Sequence, residues 1–359
     1  MVYTSVFLLA LITAVVLTPF ARRLSFRWGV VAKPGGRRQH EGNIPKLGGI
    51  PIFFAYLASI ALIYALLPPD TIEDAQRLRG VFIGTTLLFI GGLLDDKFDL
   101  KPIWQFSFQF LGAAVAVGHI IFIERFTNPF PSGEIWSLPI IDWFFTFEDP
   151  LVIIWRPLVF LITLFWVVGM INAVNFLDGL DGLAAGVGTI AMLLFAWHSY
   201  RLGQTSVPLF PLALAGVLIG FLFYNFAPAS IFLGTAGAWI IGYNLATLSI
   251  LSPAKLSTAL LVMAVPILDV AWQIVSRLSR GQHPYQGDRG HLHYRLSDGG
   301  LPTRIIVVGY YAVALGFGLV AVFVPTGLPK LILLGLLVTA VLIFLAFLSR
   351  RSSQTPQEF

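Results

Sequence analysis

The sequence predicts an all-α, polytopic integral membrane protein with about eleven transmembrane helices. Three observations carry that prediction. The chain is 57% hydrophobic and only 11% charged, whereas a soluble domain carries about 25% charge. Its apolar residues gather in runs that approach or exceed the ~18–20 residues needed to cross a bilayer. Those runs are continuous and lack the alternating pattern over ~10 residues that marks an outer-membrane barrel strand. Cysteine is absent, which excludes disulfides, thiolate catalysis and cysteine-ligated metals. The net charge of +5 requires no nucleic-acid partner, because loop arginines and lysines that orient helices account for it.

The first run, Val2 to Phe20, is followed rather than preceded by its basic residues, Arg22, Arg23 and Arg27. A secretory signal carries its charges first, so this run predicts an uncleaved span with the N-terminus outside. Ten further spans follow at roughly 48–67, 80–94, 103–122, 152–171, 183–200, 208–226, 234–251, 257–275, 305–324 and 329–348. This arrangement leaves Arg77, Arg79, Arg125, Arg156, Arg201, Lys255 and Lys330 outside and puts every other lysine and arginine on the inner side. That bias is the one the positive-inside rule requires, and it places the C-terminus inside. The outer segment 124–150, with Pro129, Pro131 and Pro139 among aromatics, reads as an outer turn or hairpin. Residues 1–349 form a single transmembrane domain, and residues 350–359 form a short polar cytoplasmic tail, expected to be disordered.

Polar residues interrupt the apolar pattern on the predicted inner face. A charged group at the bilayer centre costs roughly 2.5–3.5 kcal/mol on insertion scales. The run Asn172-Ala-Val-Asn175-Phe-Leu-Asp178-Gly-Leu-Asp181-Gly182 places four polar side chains three residues apart. Three residues advance a helix by about 300°, so one straight helix cannot aim all four at one point. Gly179 and Gly182 predict that the helix ends or bends there and lets Asp181 turn back. Asp95, Asp96 and Asp99 form a second acidic cluster at helical spacing. Like charges this close repel unless a cation is present. Mg²⁺ with a phosphate substrate is one resolution, since Mg²⁺ binds through one or two carboxylates and keeps water and phosphate in its shell. A solvated juxtamembrane loop balanced by Lys97 and Lys101 is the other. The segment Asp288-Arg289-Gly-His291-Leu-His293 suits phosphate or, equally, a basic cytoplasmic loop. Two histidines without further ligands are weak evidence for zinc. Lys46-Leu47-Gly48-Gly49 has the same double reading, its glycines permitting close backbone approach. His119 and His198 read as satisfied helix or interface histidines.

Together these segments resemble the polyprenyl-phosphate N-acetylhexosamine-1-phosphate transferases. The resemblance rests on Pro45-Lys46-Leu47-Gly48-Gly49, Asp95-Asp96-x-x-Asp99, Asn172-x-x-Asn175-x-x-Asp178-Gly-x-Asp181-Gly, Asn225-x-x-Pro228-Ala229-x-x-Phe232-x-Gly234, Pro266-Ile-Leu-Asp269 and Asp288-Arg289-x-His291-x-His293. It extends over nearly the whole chain, and the histidine loop is similar to the N-acetylglucosamine branch. The resemblance implies transfer of an N-acetylhexosamine-1-phosphate, by default N-acetylglucosamine-1-phosphate, from a UDP-sugar to undecaprenyl phosphate. UMP is released, and the lipid-linked product starts a cell-envelope polysaccharide. It implies a bacterial inner (cytoplasmic) membrane location, an active site on the cytoplasmic face, Mg²⁺ with Mn²⁺ as the alternative, and a homodimer.

The resemblance also implies roles. Asp95 is the candidate base or positioner for the lipid phosphate, and Asp96 and Asp178 are the metal candidates. Asp181, Asn225 and Phe232 match positions associated with uridine. His291, His293 and Arg289 would hold diphosphate or sugar, and Lys46, Asn172 and Asn175 complete the substrate set. At Thr235 the sequence departs from the family pattern, which usually has a metal-binding aspartate there. Two other classes stay open: a homologue that binds UDP-sugar or polyprenyl phosphate without turnover, for which Thr235 is the sequence support, and a lipid-linked transporter, since intramembrane acids also mark ion pathways.

Overall fold

The computed structural model describes residues 1–32, 42–69, 71–123, 125–127, 135–137, 150–251, 255–279, 281, 290–324 and 328–352. Arg289, Asp288, most of the outer segment 124–150 and residues 353–359 lie outside this set. The described residues are nearly all helical. In chain order the helices are α1 (Val2–Arg27), α2 (Gly49–Leu66), α3 (Ile72–Phe98), α4 (Pro102–Gly118), α5 (Pro150–Leu177), α6 (Leu183–Arg201), α7 (Leu209–Asn225), α8 (Gly234–Ile250), α9 (Lys255–Val262), α10 (Ala264–Ser279), α11 (Leu292–Asp298), α12 (Thr303–Phe323) and α13 (Leu328–Ser352). Two short antiparallel ribbons complete the set. Strand β1 (Val31–Ala32) pairs with β2 (Ile44–Pro45), and β3 (Arg125–Thr127) pairs with β4 (Ile135–Ser137).

Each of the eleven predicted intervals carries helix. Among the described residues six helices are long and apolar enough to cross a membrane, and a bent pair makes a seventh if taken as one span; α7 and residues 332–344 are apolar but shorter. The chain is therefore a multi-pass membrane protein. The interval 257–275, expected as one span, is divided at Met263 into α9 and α10, which meet at 68°. At the C-terminal end, α13 continues to Ser352, so helix extends past residue 350, where the polar tail was predicted to begin.

Helix α8 is the centre of the bundle. Every residue from Gly234 to Ser249 is buried except Thr235, which is half-buried. A helix that is apolar all round belongs in an interior, and α8 accordingly packs against α2, α3, α5, α6 and α9. Small residues and hydrogen bonds make those contacts close, as expected where lipid removes any hydrophobic drive between helices. Gly92 of α3 and Gly242 of α8 sit directly against the backbones of Ala236 and Ile171. Asn244 donates to Thr85 at 2.9 Å, Tyr243 donates to the Gly80 carbonyl at 3.0 Å, and Trp166 donates to the Ala246 carbonyl at 3.2 Å. On the periphery, α1 buries a stripe of mostly small residues, Val6, Ala10, Ala14, Thr18, Ala21 and Ser25. Its partner α7 presses Gly216 and Gly220 onto the Phe7 and Leu11 carbonyls.

Candidate functional site

The first part of the site is built where α3 ends against the start of α8. Asp95 and Asp96 occupy the last turn of α3 and are buried, 7% and 5% exposed. The opening N–H groups of a helix have no partner within it and carry partial positive charge. Asp96 meets two of them: Oδ1 accepts from the Thr235 N–H at 2.8 Å, and Oδ2 accepts from the Ala236 N–H at 3.1 Å. Asp95 Oδ2 accepts from the Thr235 hydroxyl at 2.7 Å, while its Oδ1 accepts from the Leu100 N–H at 3.1 Å and from Gln105 at 2.7 Å. The compensation that two adjacent buried acids require thus comes from the N-terminus of α8, a hydroxyl and an amide.

Asp99 does not join them. It caps α3 in a left-handed conformation, φ 46°, and stands exposed, 3.8 Å from the Lys46 ammonium. Lys46 is placed there by backbone. Its N–H donates to Val30 and to the Ser25 hydroxyl, which holds the β1–β2 ribbon against the end of α1. On either side of it, Pro45 and Gly48 pair with Phe232, whose N–H donates to Pro45 at 2.8 Å and whose carbonyl accepts from Gly48 at 3.1 Å. Gly234 has φ +74°, and a Cβ there would strike the Lys46 carbonyl at 2.2 Å and Asp96 Oδ2 at 2.7 Å. Only glycine lets the chain enter α8 so close to both.

The second part surrounds the α5–α6 turn. Helix α5 stops at Leu177, and α6 starts at Leu183 after Gly182 with φ +81°, so Asp178 and Asp181 lie in the turn, as the glycines predicted. Asp181 Oδ2 accepts from the Ala229 N–H at 2.9 Å. Asn225 is 2% exposed; it accepts from the Gly182 N–H at 3.2 Å and donates to the Ile231 carbonyl at 2.9 Å. Arg304 Nε donates to the Ala227 carbonyl at 2.7 Å, and the Tyr311 hydroxyl donates to the Gly182 carbonyl at 2.5 Å. The loop 225–232 therefore ties the α5–α6 turn to the segment that leads into α8, and so joins the two parts.

The histidines enter from α11. His291 and His293 are both buried, with ring centroids 5.8 Å apart and planes within 11°; Phe176 stacks on His291 at 5.3 Å. A Cβ on Gly179 would lie 2.2 Å from His293 Nε2, so this glycine lets α11 seat on the turn. Asn172 is one member of the predicted set that the structure engages elsewhere. Its amide donates to Gln109 Oε1 at 2.6 Å and to the Val168 carbonyl at 2.8 Å, between α4 and α5. Asn175 is half-buried, and its amide makes no hydrogen bond among the described residues. His119, as expected, satisfies itself on its own helix, Nδ1 facing the Val115 carbonyl at 2.8 Å.

The donors here are oxygens, which suit a hard cation. Among the described residues no three or more His, Asp or Glu side chains gather closely enough to enclose a metal ion. Each oxygen of Asp96 accepts a single hydrogen bond, and a carboxylate oxygen has room for a second contact. That donor set fits Mg²⁺ held through one or two carboxylates with water and phosphate, and does not fit a closed protein cage.

Comparison with known proteins bears on what such a site serves. Residues 78–253 match the model of glycosyl transferase family 4. Over 322 residues, covering 88% of this chain and 83% of its relative, the chain is 30% identical to a probable undecaprenyl-phosphate N-acetylglucosaminyl 1-phosphate transferase of Bacillus subtilis. The chain belongs to glycosyl transferase family 4. Within the family it is also 31% identical, over 97% of its own length and 90% of the relative's, to a decaprenyl-phosphate N-acetylglucosaminephosphotransferase of Mycolicibacterium smegmatis. It is 28% identical, over 79% and 74%, to an undecaprenyl-phosphate alpha-N-acetylglucosaminyl 1-phosphate transferase of Escherichia coli.

Beside the motifs of this glycosyl transferase, the structure brings in residues that sequence reasoning passed over: Gln105 on Asp95, Phe176 on His291, Tyr311 on Gly182. Gln105 and Tyr311 carried no signal, because each reaches its partner from a neighbouring or distant helix. Asp269, quoted only as part of a motif, did carry one. With Gln273 and Arg277 it forms a polar row at four-residue spacing in an apolar segment, and all three are buried.

Proposed function

We propose that the protein transfers N-acetylglucosamine-1-phosphate from UDP-N-acetylglucosamine to undecaprenyl phosphate, releasing UMP and starting a cell-envelope polysaccharide. In this reading eleven spans cross a bacterial inner membrane with the site on the cytoplasmic face, N-terminus outside and C-terminus inside. The observation that carries it is the meeting of four separate helix ends, those of α3, α5, α7 and α8, through the hydrogen bonds of residues 225–236. The residues gathered there are the ones whose pattern resembles the polyprenyl-phosphate transferases, and the relatives named above support the same chemistry.

A lipid phosphate oxygen attacks the β-phosphorus of the sugar nucleotide; the bridging bond to the α-phosphate breaks, and UMP leaves. Such reactions call for positioning and charge stabilisation rather than covalent chemistry by the protein. Asp95, fixed by Thr235, Leu100 and Gln105, is the base or positioner facing the lipid phosphate. Lys46 supplies positive charge beside it. Asp181 and Asn225 hold the loop on which Phe232 meets the uridine, and His291 and His293 meet the diphosphate. Asp96 and Asp178 would hold Mg²⁺, which supplies neutralisation of charge on the transferring phosphate.

Thr235 favours a second reading, a homologue that binds these substrates without turnover, because its hydroxyl already occupies Asp95 and stands where the family pattern has a carboxylate. One assay separates the two. Purified protein is given undecaprenyl phosphate, UDP-N-acetylglucosamine and Mg²⁺, with a control lacking lipid. Lipid-dependent UMP, abolished in Asp95→Asn and in Asp178→Asn, is the expected result. Bound UDP-sugar with no UMP released would sink the first reading in favour of the second.

A further inference from the structure

We propose that Asp269 is the positioning residue of a carboxylate–imidazole dyad, fixing His291 so that Nε2 alone is left to meet the reacting diphosphate. Asp269 Oδ2 lies 2.9 Å from His291 Nδ1, and its Oδ1 accepts from the Leu292 N–H at 3.0 Å. Both side chains are buried, Asp269 4% and His291 7% exposed. An ionised carboxylate only accepts, so Nδ1 must carry the proton that lies between them. The tautomer is thereby set, and Nε2 is the nitrogen without a hydrogen bond among the described residues.

The surroundings fix the ring's plane as well as its proton. Phe176 stacks on His291 at 25° and His293 lies nearly parallel to it, so tilting the ring would cost those contacts. The backbone that carries the ring is clamped by the same helix. Four residues along α10 from Asp269, Gln273 donates to the Gly290 carbonyl. Residues four apart share a helix face, so α10 presents two polar side chains that grip residues 290 to 292 from one side. Helix α10 has this orientation because it departs from α9 at 68°.

The site therefore contains a second carboxylate function distinct from Asp95 and Asp96, one that acts through a histidine rather than on substrate. The diphosphate as its object rests on the transferase reading above. Asparagine at 269 cannot replace the aspartate. The two oxygens of Asp269 face two donors; an amide keeps its one acceptor for the Leu292 N–H and turns its NH₂ toward Nδ1, which reverses the tautomer and moves the ring proton to Nε2.

The test uses full-length protein in detergent. Selective ¹⁵N-histidine labelling, with the His291 signals identified by their loss in His291→Gln, should show Nδ1 protonated and its proton shifted downfield; Asp269→Asn should abolish that signal. In the UMP assay, Asp269→Asn should lower kcat at least about 10-fold and up to the ~10⁴-fold that accompanies a reversed tautomer at a catalytic histidine, with KM little changed. The double variant Asp269→Asn/His291→Gln should be no slower than His291→Gln alone, because a residue that acts only through His291 has nothing left to act on. A wild-type ring protonated on Nε2 with Nδ1 bare, or losses that multiply in the double variant, would overturn the dyad. The spectroscopic result needs no turnover. A protein that releases no UMP but shows the Nδ1 proton would remove the transferase reading and leave the dyad, and an active protein indifferent to Asp269→Asn would do the reverse.

Discussion

Asp96 has two acceptor oxygens and meets two backbone N–H groups at the start of α8, and this match makes it irreplaceable. Asp96→Asn is nearly isosteric, yet it turns an NH₂ toward one of those N–H donors. A buried donor left without an acceptor costs about 1–3 kcal/mol, so the variant should melt at lower temperature in detergent and release UMP at least about 100-fold more slowly, as expected when a group that stabilises charge in the reaction is removed. Unchanged melting would show that Asp96 does not hold the helix end. At Thr235 the expectation differs. Thr235→Val removes the hydroxyl that fixes Asp95 but keeps shape and backbone, so folding should be retained while turnover falls about 10-fold, the scale of one net hydrogen bond of ~1–1.5 kcal/mol. Thr235→Ser should restore it. Equal rates in all three proteins would show that Asp95 needs no help from this hydroxyl. Asp99 shows what the sequence concealed. Its spacing from Asp95 predicts a shared helical face, but the helix ends one residue earlier and the left-handed cap at Asp99 sends it to Lys46.

Among the elements, α8 decides the geometry because the site hangs on its first turn and its position is set by glycine contacts. Gly92 of α3 would place a Cβ 2.4 Å from the Ala236 Cα, a backbone atom with no rotamer by which to retreat. Gly92→Ala should therefore push α3 from α8 close to where Asp96 reaches Thr235 and Ala236. Overpacking of this kind costs about 1–3 kcal/mol, and the expected outcome is a lowered melting temperature with loss of UMP release. Gly169→Ala on α5, where nothing lies within 4 Å, is the control; it should be neutral or stabilise by about 0.5–1 kcal/mol through helix propensity. If both alanine variants melt alike, the close approach of α3 to α8 is not what fixes the site. Helices such as α8 were legible in the sequence because a long apolar run leaves the backbone no partner but itself. The break at Met263 was not, since the run of hydrophobic residues continues through it, and only the row Asp269, Gln273, Arg277 hinted that α10 turns a polar face inward. Asn172 has a partner that the sequence did not disclose: its half-buried amide donates to Gln109 of α4, a contact between two helices that no local pattern shows. The α5–α6 turn was readable because glycine at the end of an apolar run marks a break, and Gly182 does take the left-handed φ of +81° that such a break uses.

For the whole molecule the sequence argument is one of sidedness, and the structure supplies its geometric half. Lys46, Asp95, Asp181, Asn225 and His291 come from segments scattered over nearly 250 residues, yet hydrogen bonds among the loops of the first four, and the stacking of Phe176 on His291, put them at one end of the bundle. In the proposed topology, charge bias puts that end in the cytoplasm. If so, the turn between α6 and α7 must lie on the opposite side from the turn between α11 and α12, since α6 begins at the site and α11 belongs to it. The absence of native cysteine makes this testable without background. Gly203 lies exposed after the end of α6, and Gly299 lies exposed between α11 and α12. A single cysteine at each position, probed with a membrane-impermeant maleimide on intact cells stripped of outer membrane or wall, should label at 203 and remain protected at 299; inverted vesicles should show the reverse. Labelling of both from one side would overturn the eleven-span topology, because the path from α6 to α12 would then cross an even number of times. Labelling of 299 from outside and 203 from inside would preserve the crossings and move the site to the outer face, where the positive-inside bias, not the fold, would be the part in error.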